Sequence, residues 1–117
     1  MGASSSTENE AAAIEFIQTT LAKHPVTIFS KTYCPYCDMA KDVMKQTGAP
    51  FHVVELDTKK DVPSGADIQN ALATLTGRRT VPNVFLNKES IGGGTDVQAL
   101  FHSGKLMEML RASGVLK

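Results

Sequence analysis

Two apolar runs with an amphipathic stretch between them constrain this chain most. Residues 26–29 form the first run, and residues 51–56 form the second, bounded by Pro50 and Asp57 and rich in β-branched and aromatic side chains. Between them Ala40, Val43 and Met44 recur on one helical face, Asp38, Lys41 and Lys45 fall elsewhere, and Gly48 stands where a C-terminal cap belongs. Strand, helix and strand in this order make a βαβ unit, with parallel strands and a right-handed crossover.

The flanking segments extend this unit. Ile14, Ile17 and Leu21 mark a helix over residues 11–23, which Pro25 ends. Ser64 precedes Asp67 by three residues, and Ile68, Leu72 and Leu75 then trace a helical face that Gly77 terminates. Residues 84–86 and 90–91 flank Asn87-Lys88-Glu89, which reads as an antiparallel hairpin. Thr95 to Gln98 reads as a capping box, starting helical segments broken by Gly104 and ended by Gly114. The order α-β-α-β-α-β-β-α, without repeat or linker, predicts an α/β protein: a four-stranded mixed sheet with helices on both faces, the layout of the thioredoxin-like fold.

A length of 117 residues suits one domain. Residues 1–10 are polar, with Ala3 the one apolar side chain after Met1, and read as a flexible tail before a domain over residues 11–117. The opening Met1-Gly2-Ala3-Ser4-Ser5-Ser6 formally fits the pattern for myristate on Gly2, although a plain tail is favoured.

Charge and hydropathy narrow the function classes. Twelve basic residues balance twelve acidic ones without a Lys/Arg cluster, so nucleic acid is not an expected partner. No apolar run approaches the roughly 20 residues of a membrane span. The start lacks the order of a signal peptide, and Glu8, Glu10 and Glu15 precede the first basic residue, Lys23, which argues against a transit peptide. A cytoplasmic monomer is expected.

Cys34 and Cys37 are the only cysteines, so they cannot staple distant segments as the disulfides of small secreted domains do. In Cys34-Pro35-Tyr36-Cys37 the spacing of three puts both thiols on one face of a helix starting there. Pro35 suits the first helical position, which leaves Cys34 where free backbone N–H groups converge. The positive helix end and Lys31 both favour a thiolate there, so Cys34 is the expected nucleophile. Cys37, inside the first turn and more buried, is the expected resolving thiol.

Other readings of these residues are weaker. Zinc normally takes four ligands, and His24, His52 and His102 show no ligand spacing, so no metal site is expected. Met39, Met44, Met107 and Met109 fall in amphipathic segments and read as packing.

Two further segments suggest a ligand surface. Thr80-Val81-Pro82 precedes a strand, and a cis bond before Pro82 would turn the Val81 backbone toward an extended peptide. Gly92-Gly93-Gly94 before Thr95 permits close approach to a helix N-terminus that suits a carboxylate.

Thr-Tyr-Cys-Pro-Tyr-Cys, Thr-Val-Pro-Asn-Val-Phe and Gly-Gly-Gly-Thr-Asp, in this order, resemble a dithiol glutaredoxin over residues 11–117. Thioredoxins share the fold but typically carry Trp-Cys-Gly-Pro-Cys, and this chain has no Trp. The resemblance implies glutathione as co-substrate rather than a permanently bound cofactor. It implies a groove in which Lys31 and Gln69 face the glycine carboxylate, Val81 pairs with the tripeptide backbone between Thr80 and Pro82, and Tyr36 lines the wall. Thr95 and Asp96, after Gly94, would hold the γ-glutamyl end, and glutathionylated or disulfide-containing proteins would be the partners. The alternative it carries is a [2Fe–2S] carrier with Cys34 as cluster ligand, against which Pro35 counts, because cluster-holding members more often have Ser or Gly there.

Overall fold

The structure, a computed structural model, describes the backbone of residues 2–117 and the side chains of residues 8–117. The elements run α1 (Gly2–Lys23), β1 (Val26–Ser30), α2 (Pro35–Thr47), β2 (His52–Glu55), α3 (Gly65–Thr76), β3 (Asn83–Leu86), β4 (Glu89–Gly92), α4 (Gly94–His102) and α5 (Lys105–Ala112). One sheet holds the strands in the order β2-β1-β3-β4, with β1 parallel to β2 and antiparallel to β3. The expected βαβ unit and mixed sheet are therefore present.

Every residue of β1 is buried, as a central strand covered on both faces requires. Ile17, Leu21 and Ala13 of α1 join Ile68 and Leu72 of α3 against Phe29, Val54 and Phe85 on one face. Val43 and Met44 of α2, Val97 of α4, and Leu106 and Leu110 of α5 pack against Val26, Ile28 and Val84 on the other. Met44 is fully buried, so its role is packing. Alternation along β1 thus divides one strand's side chains between two cores.

Three boundaries differ from the sequence reading. Helix α1 crosses residue 11 without a break, so the polar tail expected over residues 1–10 does not end where the helix starts. Periodicity marks only the buried face, whereas Glu10 and the alanines after it carry high helix propensity, and Glu10 Oε1 accepts the Thr74 hydroxyl of α3 at 3.1 Å. Met1 and the side chains of residues 2–7, where the acylation pattern lies, are outside the described residues. The β3–β4 turn is the two-residue Asn87-Lys88, with φ of 48° and 72°, and β4 begins at Glu89. Helix α4 starts at Gly94, and its cap joins Asp96 Oδ2 to the Gly93 N–H at 2.8 Å instead of involving Thr95 and Gln98.

No helix of the described residues is long and apolar enough to cross a membrane.

Candidate active site at the start of α2

After β1 the chain turns at residues 31–33, with the Cys34 N–H bonded to the Lys31 carbonyl at 3.3 Å. Cys34 is the N-cap of α2, extended at φ −104° and ψ 114°, and Pro35 occupies the first turn. Cys34 Sγ accepts the Cys37 backbone N–H at 3.2 Å, so the sulfur does the work that a serine or aspartate oxygen does at an ordinary cap. Charge on an acceptor strengthens a bond of this kind. Cys34 is half-buried, and Tyr33 and Tyr36 beside it are exposed.

Cys37 is the opposite kind of thiol. Its side chain has no solvent exposure, and its Sγ accepts the Lys31 backbone N–H at 3.4 Å. Burial first, and then the hydrogen bond with Cys34, push its pKa up to about 11, while the Lys31 N–H and the Ser30 hydroxyl pull the other way. Both cysteines are free thiols in the structure.

Two other loops close on this helix start. The Val81–Pro82 bond is cis, and the Val81 carbonyl lies 3.9 Å from Cys34 Sγ, so the loop before β3 faces Cys34 directly. Gly94 packs so closely that a Cβ there would stand 2.6 Å from the Tyr36 carbonyl oxygen, which explains why this position carries no side chain. The N-terminus of α4 is thereby held against the first turn of α2. Thr80 and Thr95 are exposed at the two sides of the Val81 loop and α4, and Pro82 is buried behind Val81.

On the far side of Cys34, Lys31, Tyr33, Asp57, Lys60 and Gln69 line a cleft of about 440 Å³. Lys31 and Gln69 both line it, and the Gln69 amide nitrogen donates to the Arg79 carbonyl at 2.9 Å and so braces the segment leading to Thr80. Asp57 accepts the Thr32 N–H at 3.1 Å and also the Thr32 hydroxyl. These bonds, the hydroxyl one foremost, hold the Asp57 carboxyl below the usual carboxylate range, with Lys31 adding to the effect.

Arg78 was not among the expected site residues, and the structure pairs it with Asp96 at 3.1 Å. The Asp96 carboxylate is therefore shared between Arg78 and the α4 cap. Asp57 was missed as well, since nothing local relates it to Thr32. His24 and His52 stack at 3.9 Å between ring centroids, at the opposite end of β1 from the cysteines. The apolar cavity of about 610 Å³ between α1, α3 and the hairpin also lies away from Cys34.

Comparison with known proteins places this geometry. The sequence model of the family described as Glutaredoxin matches residues 26–91. A tomato (Solanum lycopersicum) protein named glutaredoxin is 50% identical over 93 residues, covering 80% of this chain and 83% of that protein. Glutaredoxin-C6 of rice (Oryza sativa subsp. japonica) is 44% identical over 104 residues, covering 89% of this chain and 90% of that protein. Among solved structures, a buckwheat glutaredoxin–glutathione complex superposes with a TM-score of 0.86 at 40% identity, covering 94% of this chain and 97% of the other. An oxidised glutaredoxin 2 from Chlamydomonas reinhardtii superposes with a TM-score of 0.84 at 41% identity, covering 92% and 98%. The thioredoxin-like fold, the Cys-x-x-Cys pair at the start of α2 and these similarities make the chain a member of the glutaredoxin family.

Proposed function

We propose that the protein is a glutathione-dependent thiol–disulfide oxidoreductase that reduces protein–glutathione mixed disulfides and protein disulfides. The observation that carries this reading is the inequality of the two thiols: a half-buried Cys34 that caps a helix, and a buried Cys37 that keeps its proton. The groove around them supplies a cation at Lys31, a backbone edge at Val81 and a helix N-terminus at Gly94. Those groups suit an anionic short peptide, and a relative's structure carries glutathione.

In the first route the Cys34 thiolate attacks the glutathione sulfur of a mixed disulfide. The S–S bond to the protein breaks, and the protein sulfur leaves with the electron pair and takes up a proton. A second glutathione thiolate then attacks the glutathione sulfur bound to Cys34, releasing oxidised glutathione and restoring Cys34. Only Cys34 is required. For a protein disulfide, Cys37 attacks the mixed disulfide on Cys34, forms the internal disulfide and frees the second substrate thiol. Two glutathione molecules reduce that disulfide. We assign the activity to a cytoplasmic monomer.

The test is turnover of a glutathionylated peptide with glutathione and glutathione reductase. Cys37→Ser should retain this activity, and Cys34→Ser should lose it. Retention by Cys34→Ser would refute the reading.

A further inference from the structure

Ring closure has an unmet chemical need. Cys37 is sealed from solvent and holds its proton, yet it must attack Cys34 Sγ as a thiolate. The proton therefore needs a destination inside the protein, and the new negative charge needs a partner there.

The sheet register locates both. Ser30 and Glu55 are directly paired on the parallel strands β1 and β2, so their side chains share a face. That face is the one α2 covers, because Lys41 of α2 bonds Glu55 Oε2 at 2.8 Å, and the Ser30 hydroxyl, which donates to the Lys31 carbonyl at 3.3 Å, lies beside the Cys37 sulfur. Lys41 follows Cys37 by four residues, one turn along the same helix face. Cys37, Ser30, Glu55 and Lys41 thus form one polar cluster beneath the start of α2.

Within it one atom is unsatisfied. Glu55 Oε1 is buried and has no hydrogen-bond partner among the described residues. Native proteins rarely leave a buried acceptor unpaired, and such a group calls for a functional account. Lys41 is largely covered, and its ammonium is held above the usual lysine value: burial opposes this, and the bond and charge of Glu55 outweigh it. The other charged group facing Lys41 is Asp38, at 4.0 Å and exposed to solvent. Cys37 itself is faced by Cys34, the Lys31 N–H and the Ser30 hydroxyl.

We propose that Glu55 and Lys41 serve the resolving step, Glu55 Oε1 receiving the Cys37 proton by way of the Ser30 hydroxyl or one water, and Lys41 becoming the counter-ion of the Cys37 thiolate. The inference rests on the oxidoreductase reading above. Its physical merit is that the cluster keeps its net charge: one carboxylate is neutralised as one thiolate forms, and Lys41 exchanges one anionic neighbour for the other. The Cys37 thiolate then attacks Cys34 Sγ, the bond from Cys34 to the substrate sulfur breaks, and that sulfur leaves with the electron pair. Glu55 returns its proton toward solvent or the leaving thiolate, so the dithiol loses two electrons and the substrate disulfide gains them. Glu55 and Lys41 do not contact the substrate, and Lys41 is a positioning residue.

The experiment preforms the glutathione mixed disulfide on Cys34 and follows glutathione release on ring closure from pH 6 to 9. Glu55→Gln should slow closure at least about tenfold at pH 7 and make the rate climb about tenfold per pH unit, since hydroxide must then take the proton. Lys41→Met should also slow closure, and Lys41→Arg should stay near the native rate. The same substitutions placed in Cys37→Ser should leave glutathionylated-peptide turnover within about twofold, because that route bypasses Cys37. A Glu55→Gln closure profile that superposes on the native one would overturn the proposal, as would equal loss in both assays. If Glu55→Gln does not fold, Lys41→Met closing as fast as Lys41→Arg overturns it instead. Inactivity of Cys37→Ser by itself would indict the oxidoreductase reading rather than this one.

Discussion

Asp57 grips Thr32 at two points, through its backbone N–H at 3.1 Å and through its hydroxyl. The grip ties the segment just after β2 to the loop that carries Lys31 and presents Cys34, so the loop's conformation is borrowed from a segment that is not its sequence neighbour.

Asp57→Asn preserves size but turns one acceptor into a donor facing Thr32. The loop should loosen, and KM for a glutathionylated peptide should rise by roughly three- to tenfold, the equivalent of about 1 kcal/mol, with kcat close to native. Steady-state kinetics check this, and an unchanged KM would show that the grip does not shape the groove.

Cys37 should make stability fall at alkaline pH. Its pKa rises from an ordinary 9.0 to about 11 on folding, so the stabilising effect of its protonated form is complete below pH 9 and is lost as pH climbs toward 11. Urea midpoints of the reduced protein and of Cys37→Ser, taken at pH 8 and pH 10.5, should converge toward the higher pH; parallel midpoints would contradict it.

Gly94→Ala places a methyl group 2.6 Å from the Tyr36 carbonyl oxygen, a backbone atom that cannot step aside alone. The first turn of α2 must separate from α4 at a cost of about 1–3 kcal/mol. Thermal unfolding should show a lower midpoint, and turnover should fall as well, because the displaced turn carries both cysteines.

His52 is held below the ordinary imidazole value, by burial first and by the stacked His24 second. Folding therefore favours the neutral ring: the stability is present above about pH 6.5 and declines as the solution is acidified below it. His52→Phe keeps a stacking ring and removes the titration. Its stability should change less between pH 7 and pH 5 than that of the native protein.

Local signals carried much of this architecture. Pro35 at a helix start, three-residue cysteine spacing and the apolar periodicity of Val43 and Met44 each act over a turn or less, so the βαβ unit and the unequal thiols were legible in the chain. Capping was legible in kind but not in place, since Thr95 and Gly93 both offer a plausible start and only packing against Tyr36 decides between them. Asp57 with Thr32, Arg78 with Asp96, and His24 with His52 were invisible for a different reason. Each pair is brought together by strand register and loop closure, which leave no periodic trace in the sequence. The orphaned oxygen of Glu55 belongs with them, because the β1–β2 pairing is what sets Glu55 beside Ser30.

The central claim is that Cys34 alone takes up glutathione while Cys37 alone resolves. Intact-mass and peptide-mapping analysis of Cys37→Ser and Cys34→Ser, each mixed with a glutathionylated peptide, tests it directly. The account predicts one glutathione on Cys34 in the Cys37→Ser protein and none in the Cys34→Ser protein. Glutathione found on Cys37 of the Cys34→Ser protein, at a comparable rate, would contradict it.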